Sequence, residues 1–476
     1  MKPGFREMIQ MQSKKGILFA GVTALAAILG LFLFSGFMFS EKPKKLPRPE
    51  SDGTIALAPA MDHGKWGLID KKGNWFIEPR YSSVGRFSEG IVGVLDPGSG
   101  KYGFIDKDGN WILKPRYYVS PKQLENATSG ETSVFTHHQV NNIGAPQFQE
   151  GFAGIQFGEK NFGFIDKKGK ILCSGFAFVF QFENGYARVR TKEGKTFKEN
   201  VNAVIDKSGY FAIKPVKAFI RAFSDGYFIV DVPLGKGYWR PYDSFICSPV
   251  YFNAEEFSEG LAVVWLDERT PCVIDKSFNI VFNLTGIKEL ADAINHPETE
   301  IVPGSTMKYK NGRLAVKICE SGAGSAGKVV RTITIDRKGN VVSNVVEDGF
   351  AGIGKDVLLP KEEYGKYGYV NRSGEFVIKP QYSFAYKFNN GVAIVENWDV
   401  KTGKKFGLID RKGNFVKELS NDILVGTDCG LIIAGKDGRI GALDSTGKNV
   451  VIPYKFEAIH RYIKYKKEDL VLNNAK

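Results

Sequence analysis

The stretch that decides the fold is Trp66-Gly67-Leu68-Ile69-Asp70-Lys71-Lys72-Gly73-Asn74-Trp75-Phe76-Ile77-Glu78-Pro79-Arg80-Tyr81, because altered copies of it recur almost to the C-terminus. Each copy is marked by an Asp-x-x-Gly core or a close variant. These cores begin at Asp70, Asp106, Asp166, Asp206, Asp336, Asn371, Asp410 and Asp444. Decayed copies at Tyr238–Asp243 and Asp275–Phe278 bring the number to ten. Such repetition predicts small units that stack into one shared core.

Each copy carries strand and turn signals in a constant order. Aromatic and β-branched residues before the core predict a strand, and the core itself predicts a turn in which Asp accepts backbone amides and Gly adopts a left-handed conformation. A second strand is expected to stop at proline, as at Glu78-Pro79. A Phe-Ser-Glu-Gly element, as at 87–90, then starts a third strand. Each unit is therefore predicted to have three short antiparallel strands.

The predicted fold is all-β, an array of about ten three-stranded units over residues 61–456. The sequence leaves open whether the array is β-propeller-like or an open β-solenoid, with a slight preference for the propeller-like form. Long gaps between cores place inserts at about 118–146 and 284–308. The charged segment 457–476 is expected to form a tail or a short helix.

The Lys-Trp-Gly, Ile-Asp-Lys-x-Gly and Phe-Ser-Glu-Gly elements resemble the WG repeats, also called KWG repeats, of bacterial proteins. The resemblance covers roughly residues 61–456, although Trp-Gly itself occurs only at Trp66-Gly67, with Tyr or Phe in other copies. It implies a bacterial all-β repeat protein, often membrane-anchored or exported, with no established general activity.

The N-terminus carries a second strong signal. After a basic flank (1–15), residues 16–39 are free of charged side chains and would span about 36 Å as a helix, enough for a bilayer core of about 30 Å. A cleaved signal peptide is the alternative, but its apolar region is normally shorter. We expect a single-pass transmembrane anchor followed by a Pro/Lys-rich linker (40–60). Basic residues flank both sides, so a signal-anchor arrangement, with the repeats outside the cytoplasm, is the working hypothesis.

Composition restricts the classes of partner. The net charge is +13, yet residues 1–50 contribute +5 of it, and most lysines of the repeats lie in turns beside Asp. Solvated turn tips are the favoured interpretation, and contact of these tips with an anionic surface is the alternative. No nucleic-acid-binding module is present. The five cysteines are widely spaced and odd in number, which favours free thiols over a disulfide framework.

No catalytic, cofactor-binding or metal-binding residues are predicted. His137-His138 lack recognisable partners, and the Gly-rich stretch 322–328 precedes a strand pattern where a phosphate loop needs a helix. Trp239 and Trp398 are the candidate ligand-contact residues, because their sequence contexts favour exposure. The sequence therefore predicts a membrane-anchored, non-catalytic binding or scaffold protein of the cell envelope that contacts protein or glycan. The alternative is a propeller-type envelope hydrolase acting on polysaccharide or peptidoglycan.

Overall fold

A computed structural model describes residues 46–118, 145–192, 201–243, 251–295, 299–301, 307–320, 329–346, 357–371, 373–399, 401, 403–420, 424–427, 429–460 and 462–472. These residues form ten small antiparallel sheets and little helix, which confirms the all-β prediction. The predicted anchor at 16–39 and most of the insert 118–146 lie outside the described residues. In the part of the chain that is described, no helix is long and apolar enough to cross a bilayer.

The sheets follow one another along the chain, one for each copy of the repeat, and are numbered 1 to 10 in that order. The strands of sheets 1 to 3 are Ile55–Asp62, Lys65–Ile69 and Trp75–Tyr81; Ser83–Ser88, Ile91–Asp96, Lys101–Ile105 and Trp111–Tyr117; Phe148–Gln149, Phe152–Gly158, Asn161–Asp166 and Ile171–Phe176. Those of sheets 4 to 6 are Phe178–Glu183, Tyr186–Arg190, Asn202–Asp206 and Phe211–Val216; Phe219–Ser224, Tyr227–Val232 and Gly235–Trp239; Asn253–Ala254, Leu261–Trp265, Pro271–Asp275 and Ile280–Asn283. Those of sheets 7 and 8 are Thr299–Ile301, Arg313–Glu320, Val329–Asp336 and Val341–Val346; Leu359–Glu363, Lys366–Val370 and Phe376–Tyr382. Those of sheets 9 and 10 are Phe384–Ala385, Val392–Asp399, Gly403–Asp410 and Phe415–Ser420; Leu424–Gly426, Leu431–Lys436, Arg439–Asp444 and Val450–Phe456.

The expectation of three strands per unit is wrong for most sheets, which have four. Strands flank the Phe-Ser-Glu-Gly turn on both sides: in sheet 2, Ser83–Ser88 pairs with Ile91–Asp96 across it. The strand before the turn was missed because its polar residues and glycine give no alternating apolar pattern in sequence.

The two ends of the array are joined in sheet 1. Strands Ala458–Ile459 and Ile463–Tyr465, from the C-terminus, pair antiparallel with Ile55–Asp62, so they supply the first strand that sheet 1 otherwise lacks. The segment expected to be a charged tail thus contributes two strands before its short helix, Lys467–Leu470. This pairing favours the closed, propeller-like arrangement over an open solenoid.

The core lies between consecutive sheets. Phe104 of sheet 2 packs edge-on against Phe148 of sheet 3, with ring centroids 5.0 Å apart, and Trp75 of sheet 1 packs in the same way against Phe456 of sheet 10 at 5.3 Å. Leu284 and Leu290, from the insert 284–308 and its helix Lys288–Asn295, are buried in the cluster between sheets 6 and 7. Each large apolar side chain buried this way contributes about 1.5–3 kcal/mol.

The Asp cores form the predicted turns. In sheet 1, Asp70 Oδ1 accepts the amides of Lys72 and Asn74 at 2.8 and 2.9 Å, and Gly73 has a φ of +76°. Hydrogen bonds from Thr446 and Asn449 outweigh partial burial and lower the pKa of Asp444 to about 2. The predicted turn chemistry is confirmed.

The second predicted strand does not stop at its proline, and this expectation is also wrong. Trp75–Tyr81 continues through Pro79 because the strand bulges there: Trp66 pairs with Tyr81 but Leu68 pairs with Ile77. Proline tolerates this position because a bulged residue donates no ladder hydrogen bond.

Candidate binding surface

The strand order gives the array two different faces. Because strands alternate in direction, the turns that join strands one to two and three to four lie at one end of each sheet. The turns that join strands two to three lie at the other end, where the chain also leaves each sheet for the next, as at residues 118 and 284, the first residues of the two long inserts. We call these ends the clasp face and the insert face.

The clasp face is built from bonds between neighbouring sheets. Glu150 of sheet 3 has a φ of +53° and accepts the amide of Gly185 and the ammonium group of Lys207, both at 2.9 Å and both from sheet 4. Although partial burial opposes it, hydrogen bonds from Lys207 and from the Gly185 amide lower the pKa of Glu150.

The same clasp joins three further pairs of neighbouring sheets. An acidic residue of one sheet accepts a turn amide of the next sheet and pairs with the cation after that sheet's core Asp. The clasps are Glu89 with Gly151 and Lys167, Asp225 with Gly260 and Lys276, and Glu259 with Gly312 and Arg337. Between sheets 1 and 2 the C-terminal segment takes this place, because the Gly90 amide donates to the Asp469 carbonyl at 2.9 Å.

At three junctions an asparagine stands in place of the acidic residue, at Asn184, Asn311 and Asn390. In sheet 4 the acidic residue is replaced by Asn184, whose amide donates to the Phe223 carbonyl at 3.2 Å. In sheet 5 the matching cation is replaced by Pro241. At the junction of sheets 4 and 5 both partners of the clasp are therefore replaced.

The clasps involve lysines of the turn tips. Lys167, Lys207 and Lys276 are each within 2.9 Å of a carboxylate of the preceding sheet. These three lysines are paired with carboxylates within the array. The pairing favours the interpretation of the turn tips as solvated loops over their contact with an anionic surface.

The insert face carries large exposed apolar residues. Leu234 and Tyr364, at turns between second and third strands, are 92% and 97% exposed. The others at this face are Phe219, Phe252, Leu266, Phe384 and Trp398. Leu234 and Tyr364 are the most exposed large apolar residues of the described chain, which makes this face the candidate contact surface.

The structure does not bring the two candidate tryptophans together. Trp239 lies at the clasp end of sheet 5, is partly buried, and donates from Nε1 to the Asp243 carbonyl at 2.7 Å. Trp398 lies at the insert face of sheet 9 and is 62% exposed.

Sequence reasoning missed the polar group beside Trp398. Among the buried residues that the structure describes, Glu396 is the only charged one. Its carboxylate accepts Tyr386 Oη–H at 2.6 Å and Lys404 Nζ–H at 3.0 Å. Burial and the carboxylate raise the pKa of Tyr386 to about 12, so the phenol remains a donor. The sequence feature that could have indicated this group is the single Glu that follows the apolar run 392–395.

A second charged group extends over sheets 5 to 7. Asp231 contacts Arg221 at 3.4 Å and Lys236 at 4.0 Å, while Lys308 pairs with Glu256. Burial raises the pKa of the neighbouring Glu255. This is the one place in the described chain where a carboxyl with a raised pKa lies among several cations.

Other titratable groups give no site. The described residues contain no cluster of His, Cys, Asp and Glu suited to a metal ion. Cys272 and Cys429 are buried free thiols, and burial raises the pKa of Cys173 to about 11. Cys247 and His137-His138 lie outside the described residues.

Comparison of the sequence with family models decides what the repeats are. The model described as WG containing repeat matches residues 66–95, 102–118, 162–195 and 367–397. The chain contains WG repeats. Each long match begins at the third strand of one sheet and ends at the second strand of the next, as 66–95 does from sheet 1 to sheet 2. A WG repeat therefore supplies the last two strands of one sheet and the first two strands of the next sheet. Sheet 1 is completed by strands from the C-terminus.

The glycine of the WG signature is explained by the bulge opposite it. A Cβ on Gly368 would lie 2.7 Å from Pro380 N and 2.8 Å from the Lys379 carbonyl carbon, and closer still to the Ile378 oxygen. In sheet 4 the bulge is one residue shorter, since Asn202 and Val204 pair with Val216 and Ile213, and Ala203 takes the place of glycine. The close approach of the bulged strand therefore requires glycine at the signature position.

Comparisons beyond the family model are distant. No curated protein sequence gives a significant match. Similar solved structures include dihydro-heme d1 dehydrogenase NirN in complex with DHE, with a TM-score of 0.34, 10% identity, and coverage of 90% of this chain and 79% of that chain. BamB from Moraxella catarrhalis gives a TM-score of 0.28, 9% identity, and coverage of 70% and 93%. TM-scores this low carry no argument about fold, so the architecture of the WG repeats in this chain is taken from its own strand pairing.

Proposed function

We propose that this chain is a membrane-anchored, non-catalytic binding or scaffold protein of the bacterial cell envelope whose insert face contacts protein or glycan. The observation that carries the proposal is the contrast between the two faces. The clasp face uses charged side chains in bonds between sheets, whereas the two most exposed large apolar side chains of the described chain, Leu234 and Tyr364, lie at the insert face.

The path of the chain into the folded array supports this choice of face. Glu50 pairs with Lys71, in the turn of sheet 1 at the clasp face, at 3.0 Å, and Asp52 pairs with Lys464 at 2.9 Å. Residues 50 and 52 are therefore bonded at the clasp side of sheet 1, away from the insert face.

The test is retention of cell-envelope components by the full chain in detergent, before and after removal of wall polysaccharide. A Leu234→Ser, Trp398→Ala variant should lose the retained component, because both residues are exposed at the insert face. The matched control is Tyr210→Ala, which removes an exposed aromatic residue from the clasp face. Loss of retention in the control but not in the insert-face variant would reject the choice of face.

Membrane location and orientation need a separate measurement. We propose that the repeats lie outside the cytoplasm. A reporter fused to the C-terminus that is active only in the cytoplasm should be silent, and activity of that reporter would reject the orientation.

The hydrolase alternative rests on Glu255. Burial raises the pKa of Glu255, although the cations of Arg221, Lys308 and Lys236 oppose this, and Glu256 is a neighbouring second carboxyl. A raised pKa and a second carboxyl are features that polysaccharide hydrolases require of an acid catalyst. Incubation of the protein with purified envelope polysaccharide tests it. Release of reducing ends by the wild type but not by Glu255→Gln would favour the hydrolase.

A further inference from the structure

The exposed residues of sheet 9 share one side of that sheet at the insert face. Phe384 in the first strand pairs with Glu396 in the second, and Trp398 pairs with Lys404 in the third. Side chains of directly paired residues, and of residues two apart along a strand, project to the same side. Phe384, Tyr386, Glu396, Trp398 and Lys404 therefore form one group, which we call the aromatic platform.

The platform is open where the equivalent position of another sheet is covered. In sheet 4, Phe178 pairs with Arg190 as Phe384 pairs with Glu396 in sheet 9. The Arg190 guanidinium lies over the Phe178 ring at 5.9 Å, and Phe178 is only 6% exposed. In sheet 9 a carboxylate replaces the guanidinium, and Phe384 and Tyr386 are 42% and 44% exposed.

The charges of the platform are balanced and fixed. Glu396 is held between Tyr386 and Lys404, so its carboxylate cannot turn outward to a cationic ligand. Lys404 is 60% exposed and donates to Glu396 through one of its three N–H groups, which leaves donors for a ligand beside Trp398. An anionic ligand would gain little, because Glu396 already neutralises the ammonium group.

A ligand for this surface needs an apolar face for the rings and polar groups for the donors, with no net charge. Pyranose sugars have this character: their C–H faces stack on aromatic rings, whose faces are electron-rich, and their hydroxyl groups accept hydrogen bonds. We propose that the aromatic platform binds a neutral oligosaccharide, with one sugar stacked on Trp398 and its hydroxyl groups bonded to Lys404 and Tyr386. This inference rests on the proposed function and specifies the ligand class for it; Glu396 is a positioning residue.

The experiment measures binding of two neutral probes, chitotetraose and cellotetraose, to the full chain in detergent by isothermal titration. The wild type should bind at least one probe, and Trp398→Ala should weaken that binding by about tenfold or more. Glu396→Gln should weaken it less, because a neutral amide still accepts from Tyr386 but no longer fixes the ammonium group. Tyr210→Ala is the matched control, since it removes a more exposed aromatic residue from the clasp face, and should bind like the wild type.

Three outcomes would overturn the inference: no binding of either probe by the wild type, unchanged binding by Trp398→Ala, or displacement of the probe by a proline-rich peptide. Its failure is distinguishable from failure of the proposed function. If neither probe binds, but Leu234→Ser alone abolishes retention of an envelope component, the insert face remains the binding face and only the sugar assignment is wrong.

Discussion

Replacing the WG glycine of sheet 8, Gly368→Ala, gives the most direct test of the packing argument. The new methyl group would lie 2.7 Å from Pro380 N and 2.8 Å from the Lys379 carbonyl carbon. Non-bonded heavy atoms pack at about 3.5–4.0 Å, so the methyl is roughly 1 Å too close to backbone that has no rotamer to change. The strand pair must separate instead.

The magnitude follows from what that separation costs. Overpacking costs about 1–3 kcal/mol, and weakening one ladder hydrogen bond adds about 1 kcal/mol. Alanine restricts the unfolded chain and offsets about 0.4–1 kcal/mol. We expect a net loss of about 2–3 kcal/mol from the free energy of unfolding.

The assay is urea unfolding, with hydrogen exchange to locate the loss in Lys366–Val370 and Phe376–Tyr382. The matched control is Gly158→Ala, because a Cβ there meets no atom within 4 Å. That variant should be as stable as the wild type or slightly more so. If the two variants unfold at the same urea concentration, the bulge does not require glycine and the reasoning is refuted.

Three further predictions concern the turns, the clasps and the closure. Glu150→Ala should destabilise the protein at neutral pH. Because folding lowers the pKa of Glu150, the stabilisation by its carboxylate is present above the unfolded pKa and disappears as the pH falls through the folded pKa. The melting temperatures of variant and wild type should therefore converge in acid, and a difference that stays constant with pH would contradict the clasp. Asp166→Asn should leave the free energy of unfolding nearly unchanged, since a natural asparagine accepts the two equivalent amides in sheet 8. Asp166→Ala should lower the free energy of unfolding by about 1–2 kcal/mol in urea unfolding. Equal losses in the two variants would show that the charge of the side chain matters and not its ability to accept hydrogen bonds. Removal of residues 457–476 should abolish hydrogen-exchange protection on the outer side of Ile55–Asp62, whereas removal of 473–476 alone should not, and retained protection in the longer deletion would argue against strand closure.

Much of the fold was predictable because its signals are local. The Asp turns involve residues at most five apart, so the sequence alone indicated their hydrogen bonds and their left-handed glycines. The strand before the Phe-Ser-Glu-Gly turn was missed because its polar residues and glycine give no alternating apolar pattern, as in Ser83–Ser88. In sheet 2 its partner strand lies across a turn with the acidic residue Glu89 at positive φ. That acidic residue was read as part of a strand start, although its role is to bond the next sheet.

The candidate site was predictable only in part. Trp398 was selected for its loop-like sequence context and is exposed, while Trp239, selected with it, is partly buried against the core between sheets 4 and 5. Tyr386 and Lys404 gave no signal, because what makes them relevant is the carboxylate of Glu396 between them. Side chains ten and eight residues away from a buried charge meet it only through strand pairing.

The sequence by itself determined the number of units, the turns within them and the all-β class, because each depends on residues that are neighbours in the chain. Only the tertiary structure decided that the array closes, that acids and lysines of neighbouring sheets bond to each other, and that the most exposed apolar residues lie at one face. Closure joins Ile55–Asp62 to Ala458–Ile459, and the clasps join turns some 35 to 80 residues apart. Contacts at such separations depend on how consecutive sheets pack, and local residue preferences do not specify that packing.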